Sequence, residues 1–160
     1  MSEQTNSSAD TPIFQVKKMY IKDISFENPN APQVFMDSQE NLNIAMNLGL
    51  SNNKLDDDHW EVTMKTSIIA QDKANEKLVF EVEVEYAGLF LIQNIPEEAI
   101  SGLIGVDCPG ILQPYVRQII SQLTVDGGFM PFLMEPVNFR AAYEQNLANN
   151  AKEEEKPTLQ

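Results

Sequence analysis

LVFEVEVEYAGLFLI, residues 78–92, sets Leu78, Phe80, Val82, Val84, Tyr86, Phe90 and Ile92 at every second position, with Glu81, Glu83 and Glu85 between them. Successive side chains of a strand point to opposite faces, so this alternation predicts a long β-strand with one buried face. Alternate residues on a strand lie about 7 Å apart. Three carboxylates at that spacing repel one another and are tolerable only against water or a basic partner. Such a face is suited to docking rather than catalysis.

Three further strands precede it. Phe14, Val16, Tyr20, Ile24 and Phe26 alternate with Gln15, Lys17, Asp23, Ser25 and Glu27, while Met19 and Ile21 interrupt the polar face. Leu42, Ile44, Met46, Leu48 and Leu50 alternate with Asn41, Asn43, Ala45, Asn47 and Gly49, and SNNKLDDD (51–58) reads as the turn and loop that follow. A third strand starts at His59 and shares Trp60, Val62, Met64, Ile68 and Ala70 on its apolar side. Short turns between the second, third and fourth strands predict an antiparallel meander. The connection from first to second strand, NPNAPQVFMDSQE (28–40), is longer, with Pro29 and Pro32 around Val34, Phe35 and Met36. Two readings stay open for it: an apolar plug over the sheet edge, or one wall of a binding groove.

Beyond residue 94 the apolar period becomes helical. Pro96 opens a short helix, with Glu97 and Glu98 where the helix dipole favours acids and Ala99, Ile100, Leu103 and Ile104 as its stripe. Gly102 and Gly105 weaken that helix, and they predict close backbone approach. A second helix from about Gly110 has Ile111, Leu112, Tyr115, Val116, Ile119, Ile120 and Leu123 on one broad face, opposite Arg117, Gln118 and Gln122, and ends at Asp126-Gly127-Gly128. FMPFLM (129–134) follows. Asn138 then caps a third helix with Phe139, Ala142, Tyr143 and Leu147 inward. Strands first and helices after predict an α+β fold: a four-stranded antiparallel sheet, a crossover between strands 1 and 2, and helices packed on one face.

Residues 1–11 and 148–160 are too polar to offset the entropy of ordering and are expected to be tails around one domain, 12–147. The formal net charge is -13 over 160 residues, and little of it sits in those tails. That disfavours nucleic acid and anionic membranes, which need a basic footprint, and favours a basic protein partner. One cysteine excludes an intrachain disulfide; the polar start lacks the pattern of a signal peptide, and no apolar run reaches the roughly 18 residues of a spanning helix. A cytoplasmic location is expected.

Chemistry has few carriers. There is one histidine, and no HExxH, phosphate-binding loop or metal-ligand spacing. His59 follows three aspartates in a turn and is read as a solvated loop residue. Cys108 precedes Pro109 at a helix start, where a thiol is activated, but no base or oxyanion hole can be assigned to it, and a buried structural cysteine is the better reading. No cofactor or metal is expected. Flexible methionine and aromatic side chains in 129–134 are fit for core filling or for adaptable apolar contact.

KDISFE (22–27), NAP (30–32), VF (34–35), CPGILQPYVR (108–117) and PVNF (136–139) together resemble the bacterial SecB family of export chaperones, over residues 13–147 and in matching order. The resemblance implies a non-enzymatic, ATP-independent homotetramer, a dimer of dimers, that holds unfolded preproteins in long grooves for the SecA translocase. It implies SecA docking by Asp23, Glu27 and Glu83, with Glu81 standing where the family has an apolar residue, and a second SecA contact in the C-terminal tail. Candidate client-binding residues are Val34, Phe35, Leu42, Ile119 and Leu123; candidate oligomer-interface residues are Gly102 and Gly105. Alternatives are a SecB-like chaperone dedicated to one unstable partner such as an antitoxin, a small-ligand-binding α+β domain, and a cysteine-dependent enzyme.

Overall fold

In the computed structural model, which describes residues 10–38 and 40–154, four strands run β1 (Ile13–Glu27), β2 (Leu42–Lys54), β3 (His59–Asp72) and β4 (Leu78–Gln93). They form one antiparallel sheet in the order β1-β4-β3-β2. The crossover therefore carries the chain from one edge of the sheet to the other, past the ends of β4 and β3. Asn30 Nδ2 ties it to the Leu78 carbonyl at 2.7 Å, and the Asn41 carbonyl accepts from the Lys73 amide at 3.0 Å. A single 3-10 turn, Gln33–Phe35, buries Val34 and sets the Phe35 ring 5.2 Å from that of Phe129.

Central position explains the pattern of β4. Its even face is sealed by helices, with Val82, Val84 and Phe90 wholly buried, and Phe90 stacks on Phe14 at 5.8 Å. Burying each such side chain is worth about 1.5–3 kcal/mol. Glu81, Glu83 and Glu85 on the other face keep access to solvent.

Parity in β1 departs from simple alternation. Register shifts at Val16/Lys18 and Ile21/Asp23 mark two β-bulges, and each extra residue flips the side chains that follow it. Between the bulges Met19 and Ile21 join the inner face, and Tyr20 turns to the outer one, opposite Ala87. The second bulge restores the phase, so Asp23, Ser25 and Glu27 lie outward as alternation from Gln15 predicts. β2 also runs longer than its apolar alternation: Asn52, Asn53 and Lys54 pair with Val62, Glu61 and Trp60. Only residues 55–58 are left as the turn, where Asp56 Oδ1 accepts from the amides of Asp58 and His59.

The short helix and the long one are joined. α1 (Glu97–Gly102) passes through a π-helical turn, Leu103–Asp107, into α2 (Cys108–Asp126), with the Cys108 amide donating to the Leu103 carbonyl five residues back. Pro109 supplies the reason, since it has no N–H to give the Gly105 carbonyl, and the turn widens. α2 packs its Cys108–Leu112–Val116–Ile120 stripe on β3 and β4. α3 (Phe139–Glu154) is capped as expected, Asn138 Oδ1 accepting from the Ala141 amide at 3.0 Å. It touches the body through Phe139 and Tyr143, while Ala142 and Leu147, expected inward, are exposed because the helix runs out past the π turn. Residues 148–154 of the expected tail continue this helix; residues 1–9 and 155–160 lie outside the described residues.

Candidate functional site

The outer face of the sheet gathers the predicted acids. Asp23 lies across from Glu85, Glu27 from Glu81, and Ser25 from Glu83, so Glu83 sits diagonally between the two β1 carboxylates. Like charges directly opposite on neighbouring strands destabilise a sheet. Two such pairs in one patch, with Asp23 and Glu27 exposed, are a cost that folding alone does not explain. On the other flank Lys65 faces Glu85, and Ser67 faces Glu83. The patch ends at the second bulge. There Lys22 Nζ meets Glu61 Oε1 at 2.9 Å, and the Tyr20 hydroxyl donates to Glu61 Oε2. Those two donors hold the Glu61 carboxyl below its usual range, Tyr20 contributing most; burial, then Glu61, push the Tyr20 hydroxyl up to about 12.

Apolar surface is exposed on the inner face, along both edges of the sheet. On β2, Ile44, Met46 and Leu50 point to the helix side yet are exposed, since α2 covers only the central strands. Leu42 is half-buried on the same row. At the β1 edge a groove of about 560 Å³ runs between β1 and α2, lined by Ile21, Ile24, Tyr86, Tyr115, Ile119 and Leu123 among others. The five candidate client residues thus fall into two groups. Val34, Phe35 and Leu42 belong to the crossover and β2; Ile119 and Leu123 belong to the β1 groove. Val34 is buried, which makes it an anchor of the crossover.

Gly105 explains itself within the chain, because a Cβ there would lie 2.7 Å from the Tyr143 ring, whose hydroxyl also meets Ser101 Oγ at 2.6 Å. Space around Gly102 is open.

One device escaped the reading of the sequence. Segment 130–137 has no regular secondary structure, but its backbone is held by a row of α2 side chains. Thr124 Oγ1 accepts from the Phe132 amide at 2.9 Å, Arg117 Nε donates to the Met134 carbonyl at 2.9 Å, and Gln113 bonds the Glu135 carbonyl and the Val137 amide, both at 3.2 Å. Positions 113, 117 and 124 fall on one helical stripe. Polar residues recurring on an otherwise apolar helix were the available signal: Gln113 and Thr124 are buried. The segment turns Met134 inward and leaves Met130 and Leu133 exposed.

Nucleophilic chemistry finds no support at Cys108, which is fully buried, with burial first and Asp107 second pushing its thiol up to about 12. His59 Nδ1 lies 2.9 Å from Asp56 Oδ1 in the β2–β3 turn. Among the described residues no group of three or more His, Cys, Asp or Glu is placed to hold a metal ion, and no helix is long and apolar enough to cross a membrane.

A scaffold of this kind, acidic on one sheet face and apolar at the margins of the other, defines an α+β protein with two unlike surfaces. The family model for SecB, described as preprotein translocase subunit SecB, matches residues 7–150. A protein-export protein SecB of Desulfotalea psychrophila is 47% identical over 144 residues, covering 90% of this chain and 92% of that protein. Another, from Chromobacterium violaceum, is 44% identical over 152 residues, covering 95% and 97%. Among solved structures, the Mycobacterium tuberculosis Rv1957 SecB-like chaperone in complex with a ChAD peptide from the Rv1956 HigA1 antitoxin shares the fold, with a TM-score of 0.64 at 18% identity over 78% of this chain and 90% of that one. The chain belongs to the SecB family of protein-export chaperones. That membership implies a binding protein without catalysis of its own.

Proposed function

We propose that this protein holds unfolded precursor polypeptides in the cytoplasm without using ATP, keeps them competent for translocation, and delivers them to the SecA translocase. The observation that carries this is the separation of two unlike surfaces on one sheet, within a chain of the SecB family. The outer carboxylate patch, with Asp23, Glu27 and Glu83 at its centre and Glu81 and Glu85 beside them, fits a basic partner and is the proposed SecA surface. The inner apolar margin fits extended chain.

Holding must rest on many weak contacts. Ordering a client residue costs about 1–2 kcal/mol, and burying one large apolar side chain returns about 1.5–3 kcal/mol. Clients are therefore long, unfolded and weakly discriminated. Phe35, Leu42 and the exposed β2 row with Met130 and Leu133 form the proposed client wall, with Val34 fixing its crossover. Ile119 and Leu123, which line the groove beside β1, supply a second apolar stretch of that wall. Assembly into a homotetramer, a dimer of dimers, is part of the same reading, and Gly102, with open space around it, is available to it.

Native mass with and without a denatured preprotein tests the reading, beside aggregation suppression measured with and without nucleotide. A tetramer that binds the preprotein and suppresses aggregation equally in both conditions is expected. A monomer at micromolar concentration, or suppression that requires nucleotide, would refute it. Client cross-links that consistently avoided Ile119 and Leu123 would take that groove out of the client wall. A client survey that found one partner only would favour the dedicated chaperone.

A further inference from the structure

We propose that Met36 and Met130 form a paired methionine oxidation site, at which a peroxide-class oxidant makes two sulfoxides and weakens the protein's hold on apolar chain. The consequence for holding rests on the client reading above; the site itself does not.

Sulfur in this chain is sharply partitioned. It has seven methionines and one cysteine. Cys108 is fully buried with its thiol protonated, so the sulfur that most often senses oxidants is out of reach. Met64 and Met134 are 0% and 1% exposed, and Met19 is half-buried. Met36 and Met130 are 83% and 86% exposed, twice the 40% of Met46.

The two methionines also stand next in sequence to one seam. Each follows a phenylalanine of the Phe35–Phe129 pair, whose rings lie 5.2 Å apart where the crossover meets the turn after α2. Gly128 makes that seam possible: its φ is +92°, and a Cβ on it would come within 2.9 Å of the Phe35 ring. The crossover and the turn after α2 thus meet at one aromatic contact, and an exposed methionine follows each of its two rings in sequence.

The chemistry balances simply. A methionine sulfur lone pair attacks one peroxide oxygen, an S–O bond forms as the O–O bond breaks, and the proton on the transferred oxygen passes to the leaving hydroxide, giving the sulfoxide and water. Sulfur loses two electrons and the peroxide gains two. A flexible apolar side chain becomes a polar one, which is costly to bury against apolar client. Both side chains stand outside the packed core, and the hydrogen bonds that fasten segment 130–137 run to its main chain.

The test treats the full-length protein with hydrogen peroxide and follows each methionine by peptide mass mapping. Met36 and Met130 should gain one oxygen each about tenfold faster than Met64 and Met134, with the unfolding midpoint unchanged. Suppression of client aggregation should fall several-fold and return after methionine sulfoxide reductase. Each compared with its own untreated sample, a Met36→Leu/Met130→Leu variant should show no fall in holding after peroxide where the parent protein does. Equal oxidation rates at exposed and buried methionines would overturn the site, as would loss of holding on oxidation of the leucine variant. Unchanged holding by protein oxidised at both positions would overturn the consequence. Failure of the untreated protein to hold client would instead sink the client reading, while the mapping still decides the site.

Discussion

The two faces of the sheet obey opposite rules although they alternate along the same strands. Inward from β4, Val82, Val84 and Phe90 are closed to water and held by packing. Outward, Glu81 and Glu85 confront Glu27 and Asp23 across the strand pair. One face is stabilised by what it excludes, the other is tolerated because water screens it. Under the proposed function, that difference makes holding and docking separable in one domain, since the first would respond to apolar area and the second to charge.

Removing the central packing should have the largest effect. Phe90→Ala is expected to lower unfolding free energy by about 3–5 kcal/mol in urea titration, and to cost both activities together. A drop below 1 kcal/mol would mean that the helices do not depend on this ring. Reversing the outer face should divide the activities. Exposed charge pairs are worth about 0.2–1 kcal/mol each, so Asp23→Lys, Glu27→Lys and Glu83→Lys combined should weaken SecA binding roughly three- to hundredfold at low salt. Client holding should be unchanged. Normal SecA binding by that triple variant would remove the docking role from this face.

Much of this contrast was legible in the alternation of residues 78–92, because period two survives wherever a strand is regular. It failed where the backbone was not. Tyr20, Met19 and Ile21 changed sides because bulges at the two lysines, Lys17 and Lys22, shift the phase, and no side-chain pattern announces a bulge. The π turn at Leu103–Asp107 hid for a related reason: its cause is a missing N–H at Pro109, which reads equally well as an ordinary helix start. The site divided in the same way. Asp23, Glu27 and Glu83 lie in one outer patch, as alternation places them, whereas Ile119 and Leu123 line the β1 groove and Phe35 and Leu42 belong to the crossover and β2, a division that no spacing along the chain reveals.

Smaller effects sharpen the inner face. Arg117→Ala removes the bond to the Met134 carbonyl and should cost about 1 kcal/mol. Amide exchange should rise across 130–137 and client affinity should fall, with partial recovery in Arg117→Lys; unchanged exchange would show that packing alone holds the segment. The smallest effect lies at the rim of the acidic patch. The Tyr20 hydroxyl is raised from near 10 to about 12, so its neutral form stabilises the fold below pH 10, and this is lost as pH climbs through 12. Ultraviolet titration should find it ionising at lower pH in Glu61→Gln. An unmoved transition would show that burial alone sets the value.

Because α2 grips segment 130–137 by main-chain atoms, the grip is blind to the letters written there. Thr124, Arg117 and Gln113 would hold another outward-facing residue as readily as Met130 or Leu133, within the limits of an extended backbone. Mutation can therefore change what the proposed client wall presents while the framework stays constant. Fastening and vocabulary are inherited independently.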